Sequence, residues 1–155
     1  GAFCVVKGTL TITGGQIAGN KADRGGAIYC ENPGSSWINL NGGKISGNSA
    51  NKGGGIFMYN GYLTMDGGSI TGNTAKNGAG VYWESRDAGC FTGGKITGNK
   101  ASGEGGGVYG ADWGKIYLGG DVKITDNSNG NLYLSENDVN IHNTLKIHLS
   151  HFHTN

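Results

Sequence analysis

Carboxylates and large aromatic rings occur together in the short segments that connect the regular parts of this 155-residue chain. These segments hold Glu31, Glu84, Asp87, Asp112 and all three tryptophans, Trp37, Trp83 and Trp113. Two carboxyl groups about 5–9.5 Å apart can hydrolyse a glycosidic bond. Aromatic faces stack on the CH faces of sugars, while carboxylates accept hydrogen bonds from sugar hydroxyls. These residue types therefore predict a site that binds or cleaves carbohydrate.

Histidines offer a second kind of chemistry near the C-terminus. His148, His151 and His153 are close enough in sequence to share a zinc or nickel ion, because imidazole nitrogens are good ligands for both metals. No further set of ligands completes a tetrahedral site by its spacing. We therefore expect a terminal tail rather than a metal site, and we expect no cofactor.

A repeated unit has to position all of these residues. The segment GGKISGNSANKGGGIF, from Gly42 to Phe57, recurs with drift from Gly14, Gly67 and Gly93, and in a worn form from Gly119. The asparagines of the unit recur every 25 to 28 residues, at Asn20, Asn48, Asn73, Asn99 and Asn127. Most of the 33 glycines fall at fixed offsets in the unit, which favours turns with positive φ over disorder.

Each unit contains three runs in which apolar and polar residues alternate. In the first unit these runs are Leu10–Ile12, Gln16–Ala18 and Ala27–Tyr29. Alternation with a period of two, bounded by glycine and asparagine, indicates short β-strands, and no stretch shows helical periodicity. Three strands in each unit predict an all-β solenoid of about five turns, in which like residues stack ~4.8 Å apart.

The GGxI[ST]GN…GGG[IV]Y pattern resembles the repeats of right-handed parallel β-helix domains in large bacterial surface proteins. These include adhesin-like proteins of gut Clostridia and, more distantly, the polymorphic outer-membrane autotransporters with their GGAI motifs. The resemblance covers Gly8 to Leu134. It implies a right-handed parallel β-helix with three short strands in each turn of 25–28 residues. It specifies no ligand, because the shared residues are those that build the coil.

The chain is expected to form a single domain over residues 1–155. Residues 1–13 enter from an earlier turn, residues 14–134 contain the repeats, and residues 135–155 form a closing strand or tail over the last turn. Gly1–Val5 resembles Gly26–Cys30, which indicates a start within the third strand of an earlier turn. We therefore expect a fragment of a longer protein, whose neighbouring turns or domains, signal peptide and anchor lie elsewhere.

Stacking of the turns predicts columns of like side chains. The repeated asparagines are expected to form a buried, hydrogen-bonded ladder. The aromatic residues of the third strands are expected to point outward as an exposed stripe of Tyr29, Phe57, Tyr82, Tyr109 and Tyr133. Such a stripe either binds a partner or stabilises the sheet through its stacked rings. The polar segments before these strands are expected to be solvated bends.

The three cysteines, Cys4, Cys30 and Cys90, are an odd number. Cys4 and Cys30 could lie in adjacent turns within disulfide reach. Scaffolds held by disulfides normally have more cysteines, in even number. We therefore favour three free thiols in the core or in the ladders, with the disulfide as the alternative.

Charge and hydropathy argue against several function classes. The net charge is +1 with no basic cluster, so no nucleic-acid partner is expected. No apolar run reaches the ~18 residues of a membrane span, so no membrane insertion is expected. Ice binding requires a flat array of hydroxyls. The hydroxyl ladder of Ser46, Thr71, Thr97 and Thr125 adjoins Lys44, Lys95 and Lys123, whose long charged side chains would spoil that array.

The parallel β-helix also occurs in enzymes similar to pectate lyases and polygalacturonases. In a hydrolase, the carboxylates would come from Glu31 and Glu84, about two turns apart, or from Asp87. A lyase would need an acidic cluster for calcium and a base for the α-proton. Arg86 is the single arginine near these acids, and no cluster of three acids exists in the sequence. An enzyme is therefore the second choice.

These observations predict a rigid adhesin or stalk module, either extracellular or on the bacterial cell surface. The predicted binding face joins the third-strand aromatics to the tryptophan loops and comprises Tyr29, Phe57, Tyr82, Tyr109, Trp37, Trp83 and Trp113. The expected partner is a host or environmental glycan, or a host surface protein. The alternatives are a carbohydrate-active enzyme, with lyase or glycoside hydrolase chemistry, and a structural spacer with no ligand.

Overall fold

The computed structural model describes residues 1–31, 36–111, 115–135, 138–141 and 152–154. Within these ranges the chain is all-β and contains no helix, and therefore none that could cross a bilayer. Its short strands pair in parallel with their counterparts in neighbouring turns and stack in about five turns. The predicted all-β solenoid is confirmed.

Three long sheets run along the solenoid, one for each strand position of the repeat. The first sheet contains β2 (Gly8–Ile12), β5 (Ser36–Leu40), β8 (Tyr62–Met65), β12 (Ala88–Phe91), β16 (Lys115–Leu118) and β19 (Asp138–Ile141). The second contains β3 (Gln16–Ala18), β6 (Lys44–Ser46), β9 (Ser69–Thr71), β13 (Lys95–Thr97) and β17 (Lys123–Thr125). The third contains β1 (Phe3–Val5), β4 (Ile28–Cys30), β7 (Ile56–Met58), β11 (Val81–Trp83), β15 (Val108–Gly110), β18 (Leu132–Leu134) and β20 (Phe152–Thr154).

Isoleucine stacks on isoleucine through the second sheet. The column, in order, is Ile17, Ile45, Ile70, Ile96 and Ile124. Ile45, Ile70 and Ile96 are fully buried, in a core shared with the inward residues of the other two sheets. A slip of one residue in any strand would turn its isoleucine to solvent and a polar residue inward, so the repeat fixes the register.

Paired glycines before each third strand let neighbouring turns approach closely. Gly53 has a φ of 66°, a left-handed conformation that side chains disfavour. A Cβ on Gly54 would lie 2.5 Å from the carbonyl oxygen of Thr74 in the next turn, well inside van der Waals contact. The recurring glycine pairs are therefore required by the backbone.

The bend between the second and third strands is solvated, as expected, because polar residues such as Lys21, Lys76 and Lys100 are exposed. Its backbone continues the stacking, because β10 (Thr74–Ala75) pairs with β14 (Lys100–Ala101) and a bridge joins Lys21 to Ser49. Three alanines are buried in a small second apolar cluster, namely Ala75, Ala79 and Ala101. The bends form a fourth ladder, with small apolar residues packed beneath exposed polar ones.

None of the three cysteines forms a disulfide, as favoured from their number. Cys4 pairs in register with Tyr29, whereas Cys30 pairs with Val5. Cys4 is exposed and Cys30 is buried, because alternate residues of a strand face opposite sides of the sheet. The alternative disulfide between them is therefore wrong.

The last described strand, β20, pairs with β18 and extends the third sheet. Most of the closing strand or tail predicted over residues 135–155 lies outside the described residues.

Candidate functional site

The asparagine column forms the predicted buried ladder. The side-chain oxygen of Asn73 accepts hydrogen bonds from the backbone nitrogen and the Nδ2 of Asn48, at 2.9 and 3.0 Å. The backbone nitrogen and the Nδ2 of Asn73 donate in turn to the side-chain oxygen of Asn99, both at 3.0 Å. Asn20 with Asn48, and Asn99 with Asn127, repeat the arrangement. These amides satisfy one another inside the fold and are not available to a ligand.

The third-strand aromatics form a continuous stack outside the main core. Successive ring centroids along Tyr29, Phe57, Tyr82, Tyr109 and Tyr133 are 5.5, 5.2, 4.8 and 5.0 Å apart. Phe57 is 0% exposed and Tyr82 5%, although both point away from the isoleucine core. The expectation of an exposed stripe is therefore wrong for these two rings, while Tyr29, Tyr109 and Tyr133 are half-buried.

The preceding bends cover this aromatic stack. The guanidinium carbon of Arg24 lies 5.5 Å from the ring centroid of Phe57, and Lys52 Nζ lies 4.8 Å from that of Tyr82. A cation over an aromatic face is attracted by the ring quadrupole. At Tyr29, burial raises the pKa of the phenol, the charge of Glu31 raises it further, and Arg24 opposes both effects. The stack and its cations stabilise the fold and leave little aromatic surface for a partner.

Trp83 lies in the core instead of in a connecting loop. It is 0% exposed, and it pairs in register with Met58 and Gly110 on the inward side of the third sheet. A Cβ on Gly89 would come within 3.2 Å of its ring, so glycines make room for the indole. The predicted surface position of Trp83 is wrong, because its ring fills the interior.

The candidate carboxylates have separate partners. A Glu84 side-chain oxygen lies 3.9 Å from Lys52 Nζ. Asp87 accepts a 3.0 Å hydrogen bond from the backbone nitrogen of Gly61 and so holds a turn. Glu31 is exposed, two strand spacings or ~10 Å from Glu84 along the solenoid. The structure does not bring these three acids together around one bond.

Of the remaining predicted ligands, only His153 lies among the described residues. Trp113, His148 and His151 lie outside the described residues, and His153 falls within β20, opposite Tyr133. Within the described ranges, no group of three histidine, cysteine or acidic residues could hold a metal ion.

The outer face of the first sheet carries the exposed aromatic surface. Trp37 and Tyr62 lie opposite each other on β5 and β8, with ring centroids 4.2 Å apart and planes at 15°. Trp37 is 40% exposed, and Tyr62 is half-buried. Trp37 is the one predicted binding residue that the structure places on this surface. Tyr62 was not among the predicted binding residues, although it occupies the strand position of Trp37 in the next turn.

A polar column runs beside this aromatic pair, two residues further along each strand. Thr64 donates a 2.9 Å hydrogen bond to the side-chain oxygen of Asn39, and Cys90 follows in the next turn. Burial, and then the charge of Asp66, raise the pKa of the Cys90 thiol. We call Trp37, Tyr62, Asn39, Thr64 and Cys90 the platform face. It combines two stacked aromatic rings with hydrogen-bonding side chains on a rigid sheet.

One comparison with known families gives a match. Residues 16–31 match the Chlamydia polymorphic membrane protein (Chlamydia_PMP) repeat. The matched segment runs from β3 through the first bend to the end of β4 and contains Asn20 and a glycine pair. No curated protein and no solved structure matches the chain. Over part of one unit of its solenoid, the chain is therefore similar to a polymorphic membrane protein repeat.

Proposed function

We propose that the protein is a rigid adhesin module of a bacterial cell surface and that it binds a glycan on the platform face. The stacked pair of Trp37 and Tyr62 carries this proposal. Two paired strands hold the two rings face to face, and the indole of Trp37 is 40% exposed. The exposed part of an indole can stack on the CH face of a sugar ring.

Specificity would come from the polar column. The amide of Asn39 and the hydroxyl of Thr64 already bond to each other and sit on the same face as the aromatic pair. Both groups can also donate to or accept from sugar hydroxyls. Because both are half-buried on strands, their positions are fixed before the ligand arrives, which lowers the ordering cost of binding.

The surface location is supported by the similarity of residues 16–31 to a polymorphic membrane protein repeat. Rigidity is supported by the continuous ladders of asparagines and aromatic rings. A host surface protein is the alternative partner for the same face. Carbohydrate cleavage gains no support from Glu84 and Asp87, which contact Lys52 and Gly61.

A glycan array probed with the isolated domain tests the proposal. We expect one class of glycan to bind, and Trp37→Ala and Tyr62→Ala to weaken its affinity about tenfold or more. Tyr59→Ala is the matched control, because Tyr59 is equally exposed at 42% but follows β7 of the third sheet. Trp37→Ala should lower stability by less than about 1 kcal/mol, since the indole is partly solvated already.

Cys90 provides a second, independent readout. A glycan on the platform face should slow alkylation of Cys90 and leave alkylation of the exposed Cys4 unchanged. If no glycan binds, or if Tyr59→Ala weakens binding as much as Trp37→Ala does, the platform face is not a glycan site. Absence of binding to glycans and to host surface proteins alike would favour the structural spacer.

A further inference from the structure

The outer face of the second sheet carries two straight rows of side chains that the platform face does not explain. One row consists of the first residue of each strand, Gln16, Lys44, Ser69, Lys95 and Lys123. The other consists of the third residue, Ala18, Ser46, Thr71, Thr97 and Thr125. We call the two rows together the lysine face. It is a regular surface of ammonium groups and hydroxyls.

The lysines of this face are close together and lack counter-charges. Lys95 and Lys123 are directly paired in register, so their Cα atoms are ~4.8 Å apart. Like charges at directly opposed positions of a sheet destabilise it. Lys44, Lys95 and Lys123 are all exposed, and none makes a salt bridge to any residue in the part of the chain that the structure describes. The fold does not use these charges for its own stability.

The strands of this face contain no acidic residues. The sequences of β3, β6, β9, β13 and β17 contain no aspartate or glutamate. The nearest acids along the chain, Asp66, Asp121 and Asp126, lie in the turns before or after these strands. Asp66 is already bonded to the hydroxyl of Thr92. Over the strands themselves an anion would therefore meet ammonium groups and hydroxyls, with the acids confined to the flanking turns.

The backbone around the face leaves the approach open. The strands are followed by glycines such as Gly47 and Gly72, and a Cβ at either would have no heavy atom of another segment within 4 Å. Thr71, Thr97 and Thr125 are half-buried, so their hydroxyls are held in place beside the lysine row. A linear ligand can thus lie along the solenoid axis and contact several turns without obstruction.

We propose that the lysine face binds a sulfated polysaccharide that lies across the strands, along the axis of the solenoid. The argument is charge complementarity. Adjacent ammonium groups require more than one negative charge within a short length of chain, which a sulfated polysaccharide supplies. The threonine hydroxyls donate hydrogen bonds to sulfate oxygens. The proposal does not rest on the platform face, because the two faces belong to different sheets.

Binding to immobilised dextran sulfate, with unsulfated dextran as the reference, tests the proposal. We expect binding to dextran sulfate only, and a steep loss of affinity as salt rises, because exposed charges are screened. The variant Lys44→Gln/Lys95→Gln/Lys123→Gln should lose about threefold to fivefold in affinity per lysine, the strength of an exposed ion pair. Circular dichroism would confirm that the variant keeps its sheets.

The matched control removes the same charge elsewhere. Lys21, Lys76 and Lys100 are exposed on the bends, so Lys21→Gln/Lys76→Gln/Lys100→Gln has the same net charge as the first variant. We expect its affinity to change less than about threefold, because long-range charge is screened within ~10 Å. If both variants lost the same affinity for dextran sulfate, net charge alone would explain the binding, and the proposal would be overturned.

Two other outcomes would also overturn it. The wild-type domain could fail to bind dextran sulfate, or it could bind polygalacturonate as tightly, which would remove the preference for sulfate. Trp37→Ala separates the two proposed sites, because it should weaken glycan binding at the platform face and leave dextran sulfate binding intact.

Discussion

The side-chain oxygen of Asn131 accepts hydrogen bonds from the backbone nitrogen and the Nδ2 of Asn127, both at 3.0 Å. In the earlier turns, each ladder asparagine donates these two hydrogen bonds to the asparagine of the next turn, as Asn99 does to Asn127. Asn131 instead lies only four residues from its donor. It occupies the repeat position that Gly107 holds one turn earlier, before Val108. The last turn therefore ends the ladder with its own side chain.

Asn131→Gly restores the residue of the earlier turns and should destabilise the C-terminal end of the ladder. The backbone nitrogen of Asn127 would lose its acceptor, at an expected cost of about 1–3 kcal/mol. Urea denaturation measures this loss, and hydrogen exchange should show a specific decrease in protection at the Asn127 amide. Unchanged protection there would mean that Asn131 does not end the ladder.

Asn73→Ala should be the more damaging change, because it opens the ladder in its buried middle. It removes the side-chain oxygen that accepts from two Asn48 donors, and the Nδ2 that donates to Asn99, while the backbone donor to Asn99 remains. We expect a loss of about 2–5 kcal/mol in the free energy of unfolding, from several buried groups left unpaired. Asn20→Ala is the matched control at the other end, where Asn20 is only half-buried and should cost about 1 kcal/mol. Similar losses for both variants would contradict the ladder as a cooperative unit.

The repeat made the fold and the ladder predictable, because stacking places like residues over one another. Ile45 on Ile70 and Asn48 on Asn73 follow from spacing alone. The burial of the aromatic stack could not be predicted from the repeat. Alternation along a strand gives the side of the sheet on which Phe57 lies, but it does not reveal that Arg24, from the bend one turn earlier, lies over that ring.

The site residues were harder to predict, for a different physical reason. Trp83 was assigned to a connecting segment because the third-strand run was taken to end at Tyr82, yet alternation from Val81 through Tyr82 places it inward. The room for its indole comes from Gly89, which belongs to the next first-sheet strand along the chain. Such a contact between different sheets depends on the curvature of the coil, which one-dimensional spacing does not contain.

Trp83→Ala should therefore act on stability. Truncation of a fully buried indole leaves a cavity and costs about 3–5 kcal/mol. Thermal denaturation should show a large decrease in Tm, whereas Trp37→Ala, on the exposed platform face, should shift it only slightly. A Trp83→Ala variant with wild-type stability would contradict the inward position of this ring.

The three thiols should differ in reactivity toward an alkylating reagent. Cys4 is exposed and should react first. Cys90 is half-buried, and its raised pKa reduces the thiolate fraction, so it should react more slowly at neutral pH and accelerate as the pH rises. Cys30 is buried and should react only after unfolding. Mass spectrometry of timed samples gives the order, and rapid labelling of Cys30 in the folded state would contradict the register of β4.

Two of the half-buried tyrosines of the aromatic stack, Tyr29 and Tyr133, predict a loss of stability at alkaline pH. Burial raises the pKa of Tyr133, and the charge of Glu104 and its hydrogen bond to the phenol raise it further. Burial, and then the charge of Glu31, also raise the pKa of Tyr29. A raised pKa means that the folded state retains a proton which the unfolded state loses near its ordinary value of about 10. The contribution to stability is therefore complete below that pH and decreases as the pH rises through the folded-state pKa.

Tyr133→Phe removes the ionisable group and isolates this effect. Urea denaturation between about pH 8 and 11 should show a steeper loss of stability in the wild type than in Tyr133→Phe, because phenylalanine has no proton to retain. Lysines titrate in the same range in both proteins, so the difference between the two curves reports the tyrosine alone. Parallel curves would mean that the phenol of Tyr133 ionises as freely in the fold as in the unfolded chain, and that its contact with Glu104 is absent in solution.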